Sequence, residues 1–91
     1  MDVEEEIKWV LGVDRRMLVM KEAHENGVIR ATQLADLTGR SVQNISHAIH
    51  EMEEAGLIEC LTPEKSSWKR YILTEMGKKV SESLRERHFF D

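Results

Sequence analysis

The side chains best suited to chemistry in this sequence are hydrogen-bonding groups that cluster between residues 40 and 50. They are Arg40, Ser41, Gln43, Asn44, Ser46, His47 and His50. The amides among them can form paired hydrogen bonds with the edge of adenine, and a guanidinium suits guanine. Serine hydroxyls and Arg40 also suit phosphate oxygens, which position a ligand without specifying a sequence. No acid interrupts the stretch before Glu51, so these residue types are compatible with contact to DNA, with Gln43, Asn44 and His47 on the bases.

A second polar group lies between residues 62 and 79, where bases outnumber acids. Five bases and two acids give this stretch a charge of +3, although the whole chain has a net charge of −4. Lys65, Lys69 and Arg70 suit phosphates or a minor groove, but they also suit the edge of a sheet, where charge prevents strand pairing. Taken alone, the polar residues of 40–50 fit the solvated face of a helix better than a binding surface; DNA contact is favoured once a DNA-binding fold surrounds them. The acidic total excludes indiscriminate coating of nucleic acid and leaves site-specific binding open.

Catalytic and metal-binding residues form no recognisable motif. The sequence lacks a glycine-rich phosphate loop, a nucleophile elbow and a cluster of cysteines and histidines. His47 and His50 have a spacing that a metal could use, with Glu51 and Glu54 nearby, but a helix that faces DNA is a poor place for a closed site. Cys60 is the only cysteine; we expect it to pack as a small apolar residue, with redox sensing as the alternative. We predict no enzyme activity, no cofactor and no metal.

Apolar periodicity and turn residues predict the elements that must position these groups. We expect a helix over Val3–Asn26 that breaks at Gly12, a short helix from Thr32 to Gly39, a helix over Ser41–Ala55, strands Leu57–Thr62 and Trp68–Leu73, and a last helix from Thr74. Asp14, Thr32, Ser41 and Thr74 are the predicted N-caps. The apolar residues Ile45, Ala48, Ile49 and Met52 fall on one side of their helix, which leaves the polar residues on the other.

The sequence from Thr32 to Ile58 resembles the MarR and ArsR group of prokaryotic or archaeal regulators. It has Leu34-Ala35, the Gly39 turn, a helix beginning at Ser41 and Met52-Glu53-Glu54-Ala55-Gly56-Leu57, with Met52 where leucine is usual. Tyr71-Ile72-Leu73-Thr74-Glu75-Met76-Gly77 is similar to the join between wing and helix in that group. The resemblance covers roughly Asp14 to Leu84. It implies a mainly α winged helix-turn-helix that binds double-stranded DNA as a small transcriptional regulator.

The resemblance also implies the domain plan and the partners. Residues 1–91 are expected to form one domain, with a core over 14–84, a recognition helix over 41–55 and a wing over 57–73. Terminal helices make the dimer interface in that group, and we expect Ile7, Leu11, Leu84, Phe89 and Phe90 to form it here in a homodimer. A cytoplasmic protein is expected because no membrane span or secretory leader is encoded. A winged-helix module that binds a protein in a transcription or replication assembly is the alternative, and no small-molecule effector is indicated.

Overall fold

The computed structural model describes residues 2–64 and 69–90, which form five helices and two short strands. In chain order they are α1 (Val3–Leu11), α2 (Asp14–Asn26), α3 (Ala31–Thr38), α4 (Val42–Glu54), β1 (Ile58–Cys60), β2 (Tyr71–Leu73) and α5 (Glu75–Glu86). The predicted class, mainly helical with a two-stranded antiparallel hairpin after the fourth helix, is confirmed. None of these helices is both long and apolar enough to cross a membrane.

Two predicted N-caps begin the helices that flank the hairpin. The Ser41 hydroxyl accepts a hydrogen bond from the Asn44 N–H at 3.0 Å, which satisfies a donor that the first turn of α4 cannot. The Thr74 hydroxyl accepts from the Gly77 N–H at 3.1 Å and donates to the Gly56 carbonyl at 2.6 Å. Thr74 therefore begins α5 and also ties that helix to Gly56, in the turn that follows α4.

Two other predicted caps are wrong. Asp14 is the first residue of α2, and Val13, in extended backbone, occupies the cap position without a side-chain hydrogen bond. Thr32 is the second residue of α3, because the helix begins one residue earlier and Arg30 precedes it in extended geometry. Both helices begin where an extended segment ends, so backbone geometry and packing set these boundaries without a capping side chain.

Two of the helices end at glycines. Gly27 ends α2 with φ 79° and Gly39 ends α3 with φ 72°, a left-handed conformation that costs glycine little. Gly39 lets the chain turn between α3 and α4 within three residues, since α4 begins at Val42. The two helices consequently pack side by side as a helix-turn-helix.

The hairpin is shorter than predicted and gains a third partner. β1 and β2 pair antiparallel, with Ile58 opposite Leu73 and Cys60 opposite Tyr71. Ile29, between α2 and α3, bridges to Tyr71 through two backbone hydrogen bonds of 2.8 and 3.0 Å. The sheet is thereby joined to the start of α3. The predicted loop residue Lys65 and the predicted strand residue Trp68 lie outside the described residues.

The core joins all the helices and includes three residues that we expected at a dimer interface. Ile7 on α1 and Leu84 on α5 are 1% and 0% exposed, and Phe90 is 7% exposed. The Phe90 ring packs against His24, with ring centroids 4.7 Å apart. These three side chains are buried inside one protomer because α1 and the C-terminal segment close over the core. Only Leu11 and Phe89 of the expected set are exposed, at 36% and 49%.

Candidate nucleic-acid interface

Helix α4 has a buried side and a solvent-facing side. Ile45, Ala48, Ile49 and Met52 are buried, and they anchor the helix on α2, α3 and β1. Gln43, His47 and His50 are exposed on the other side, where 3.6 residues per turn places them together. The outward face predicted for these three residues is therefore present in the structure.

Asn44 lies elsewhere on the helix. Its side chain is half-buried, and its Oδ1 atom is buried without a hydrogen-bond partner among the described residues. Its backbone N–H is the group that Ser41 caps. An amide in this position lacks the open edge needed for two parallel bonds to a base, so Gln43 is the better base-contacting amide.

A groove of about 850 Å³ runs beside α4. Its walls come from the first residues of α3, one side of α4 and the residues around β2. It is lined by Arg30, Ala31, Thr32, Gln33, Asp36, Val42, Ser46, Ile49, His50, Lys69, Arg70 and Tyr71. The predicted residues Ser46, His50, Lys69 and Arg70 thus meet in one concavity.

The groove also contains residues that were not predicted to contact DNA. Arg30, Thr32 and Gln33 enter it at the beginning of α3, a helix without a side-chain N-cap. The first N–H groups of a helix have no acceptor within the helix and favour anions. Arg30, Lys69 and Arg70 make the charged lining basic, with Asp36 as its one acid. Arg30 lies at the groove because the preceding residue, Ile29, pairs with Tyr71. No local sequence pattern predicts that pairing.

Arg40 lies in the turn before α4 and is tied to α2. Its Nη2 atom is 3.2 Å from Asp14 Oδ2, and both side chains are exposed. An exposed pair of this kind contributes little to stability. Arg40 therefore remains available for a phosphate, because a stronger anion can replace the Asp14 carboxylate at small cost.

Glu51 is the first acid along α4, and two arginines from α2 hold its carboxylate. Arg15 Nε donates to Oε1 at 3.0 Å and Arg16 Nη2 donates to Oε2 at 2.8 Å. These hydrogen bonds, chiefly that from Arg16, lower the pKa of Glu51 below its usual value. The carboxylate is thus ionised and neutralised by its partners, which reduces its repulsion of an anionic ligand on the neighbouring face.

Arg16 links this ion pair to α1. Its guanidinium lies 3.8 Å from the centre of the Trp9 ring and donates to the Trp9 carbonyl at 2.8 Å. A cation above an aromatic face is attracted by the ring and held in one orientation. The chain of contacts from Trp9 through Arg16 to Glu51 fixes α4 against α1 and α2. We call these three residues with Arg15 the arginine clamp.

Metal-binding and cysteine residues show no comparable assembly. Within the described ranges, His, Cys, Asp and Glu side chains form no group of three or more that could hold a metal ion. Cys60 is a half-buried thiol on β1, opposite Tyr71.

The comparison with protein families identifies the region that carries this site. A family model described as HVO_A0114 matches residues 13–74. The chain belongs to the HVO_A0114 family. The match spans α2, α3, α4 and the hairpin, so it includes every wall of the groove. No curated protein matches this HVO_A0114 chain.

Solved structures resemble this HVO_A0114 protein over nearly its whole length. A mutant of the type III plasmid segregation protein TubR has a TM-score of 0.79 and 15% identity, covering 99% of this chain and 96% of its own. The MarR family transcription regulator SP03579 has a TM-score of 0.76 and 26% identity, covering 96% of this chain but 58% of its own. TubR bound to 24 bp of tubC, from Bacillus thuringiensis serovar israelensis, has a TM-score of 0.76 and 19% identity, covering 96% of both chains.

These similarities confirm the winged helix-turn-helix fold and the MarR-like resemblance. None of the three names describes an enzyme. The HVO_A0114 chain spans under two thirds of the MarR regulator, so the remainder of that protein has no counterpart in the present sequence.

Proposed function

We propose that this protein binds double-stranded DNA at specific sequences and acts as a small transcriptional regulator. Helix α4 enters the major groove, which is wide enough for a helix, and the hairpin lies on the flanking backbone. The observation that carries this proposal is the outward face of α4 beside the basic groove. Gln43, His47 and His50 are exposed there, and the first acid along the helix is neutralised by the arginine clamp.

The residues of this surface have two roles in the proposed complex. Gln43, His47 and His50 face the base edges, with Gln43 suited to adenine. Phosphate contacts come from Arg30, Arg40, Ser41, Ser46, Lys69 and Arg70, because these residues border the helix face in the groove or in the turn before α4. Lys65 remains a predicted phosphate contact in the wing loop.

A homodimer would place two such helices on one DNA duplex. Leu11, the last residue of α1, and Phe89, three residues after α5, are large apolar side chains that are exposed. Burial of these groups against a second copy would remove apolar surface from water. Two recognition helices related by a twofold axis predict half-sites about one helical turn, or roughly 34 Å, apart.

Selection from a random duplex library, followed by titration of the enriched duplex, tests the proposal. We expect an enriched palindrome bound at about 50 mM salt. The five cationic phosphate contacts of the proposal are Arg30, Arg40, Lys65, Lys69 and Arg70. They predict a slope of log K against log salt of about −4.5 for one protomer and about twice that for a dimer. Absence of binding at low salt contradicts the proposal.

Two variants separate the roles. Gln43→Ala should relax the base preference at one position, since it removes a base contact. Arg70→Ala should weaken all duplexes alike and reduce the salt slope by about one per protomer. Equal effects of both variants on specificity and slope would contradict the division of roles.

A role in DNA segregation is a second candidate. The similarity to TubR covers nearly the whole of both chains and includes a DNA-bound structure. The positions of the selected sites distinguish the two roles. Sites at promoters, with an altered reporter signal, support regulation; tandem sites that stabilise a plasmid without changing transcription support segregation. A stoichiometric protein partner combined with no DNA binding would instead identify a protein-interaction module.

A further inference from the structure

Val42 is an exposed aliphatic residue at the beginning of α4, in a groove whose lining also includes Ala31, Ile49 and Tyr71. It is the first residue of α4, its exposed fraction is 47%, and it lines the groove. Its nearest helical neighbours on the solvent side are Gln43, in the next position, and Ser46, one turn later. Val42 is therefore the most exposed apolar side chain among the residues that line the groove, and it lies beside the amide that suits adenine.

The fold does not account for a valine at this position. The core side of α4 is supplied by Ile45, Ala48, Ile49 and Met52, all of which are buried. Valine also forms helices less well than alanine, because its branched carbon loses rotamer freedom. An exposed valine in the first turn thus contributes little to packing and slightly disfavours the helix, which points to a contact outside the protomer.

The direction of the side chain indicates where that contact lies. Side chains on a helix lean toward its N-terminus, so the Val42 methyl groups project beyond the first turn of α4. The N-terminal residues of a recognition helix are the ones that reach base edges in the major groove. Arg30, Lys69 and Arg70 around the same groove suit the phosphates on either side of such bases.

We propose that Val42 packs against the C5 methyl group of a thymine and distinguishes thymine from bases without that methyl. Thymine is the base that presents a methyl group in the major groove, and apolar side chains recognise it there. The inference rests on the proposed DNA binding and deepens it. Together, Val42 and Gln43 would give the first turn of α4 a preference for a step that contains an A·T pair.

Deoxyuridine substitution tests the contact without changing any hydrogen bond. The selected duplex is prepared with each thymine replaced singly by deoxyuridine, and binding of the full chain is measured by fluorescence anisotropy. We expect one thymine in each half-site at which the wild-type chain binds about fourfold more weakly, the factor that corresponds to roughly 0.8 kcal/mol for one buried methyl-sized group. A duplex in which no thymine is sensitive overturns the inference.

Two variants assign the effect to Val42. Val42→Ala should bind the thymine and deoxyuridine duplexes equally at that position, while its melting temperature is not lowered. Arg70→Ala should weaken both duplexes and keep their fourfold ratio, because it removes a phosphate contact. A Val42→Ala chain that retains the deoxyuridine penalty also overturns the inference. If selection enriches no duplex and none binds at low salt, the proposed DNA binding itself fails, a distinguishable result.

Discussion

Gly77 is the residue at which a single added carbon should have the clearest effect on the fold. It lies in the first turn of α5, and a Cβ atom at this position would be 2.0 Å from the Leu57 carbonyl oxygen and 3.1 Å from Leu73 Cδ2. The first distance is about 1.4 Å short of the 3.4 Å at which ordinary contact begins. The obstacle is backbone, and the same oxygen accepts a hydrogen bond from the Thr74 N–H at 3.0 Å.

The change in the free energy of unfolding for Gly77→Ala is the sum of one stabilising and two destabilising effects. Alanine should stabilise the helix by about 1 kcal/mol relative to glycine. Overpacking costs roughly 1–3 kcal/mol, and displacement of the Leu57 oxygen weakens a hydrogen bond worth about 1 kcal/mol. The repulsion wins because the clashing atom cannot rotate away. We expect a net destabilisation of about 2 kcal/mol, which lowers the melting temperature of a chain of this size by roughly 10 °C.

Gly12→Ala is the matched control for thermal and urea unfolding. Gly12 has φ −70° in right-handed helical geometry, and an added Cβ would lie 3.4 Å from its nearest neighbour, the Trp9 carbonyl oxygen. Alanine should therefore be accepted there and stabilise the fold by about 0.4–1 kcal/mol. If Gly77→Ala melts at or above the wild-type temperature, the close approach of α5 to Leu57 is refuted.

Two carboxyl groups predict opposite pH dependences. Glu51→Gln should destabilise the chain at pH 7 by about 1–3 kcal/mol, since it removes charge-assisted hydrogen bonds. The folded state lowers the pKa of Glu51, so the carboxylate stabilises the fold only while it is ionised. The stability difference between wild type and variant should therefore shrink as pH falls below 4.5. Burial raises the pKa of Glu6, and Glu6 Oε2 has no partner among the described residues, so stability is lost as pH rises from 4.5 through that raised pKa. Glu6→Gln should therefore stabilise the chain by about 1 kcal/mol at pH 7 and give no gain at pH 3. Urea unfolding at pH 7 and pH 3 tests each difference, with exposed Glu54→Gln as control. If the stability differences of the Glu6 and Glu51 variants change with pH in the same direction, these assignments are contradicted.

Much of the fold was predictable because it depends on local rules. Ser41 and Thr74 cap their helices as expected, and Gly27 and Gly39 end theirs in left-handed geometry. The failures occur where the signal is not local. Ile29 joins the sheet through a partner 42 positions later in the chain, Tyr71, and that pairing, rather than Thr32, coincides with the beginning of α3.

The exposed face of α4 was predictable, since a helix with one apolar side must expose the other. The residues at the border of that face were not. Asn44 follows Gln43 in sequence, but one further residue rotates a side chain by about 100° on a helix, which is enough to turn its amide toward the protein. Leu84 was assigned to an interface because terminal helices form it in the MarR and ArsR group, whereas here Leu84 is buried within the protomer on a helix that packs against α1.

The placement of acids makes the proposed DNA-binding face of α4 compatible with a net charge of −4. Glu4 pairs with Arg87, on the segment that closes over α1, and Glu51 is held by the arginine clamp. In the clamp, two bases of α2 neutralise one acid of α4, so their excess positive charge lies at the edge of the recognition face. The same contact fixes the orientation of α4. A single interaction therefore serves both stability and electrostatics, and loss of Glu51 should alter DNA affinity less by removing a charge than by loosening the helix that carries Gln43.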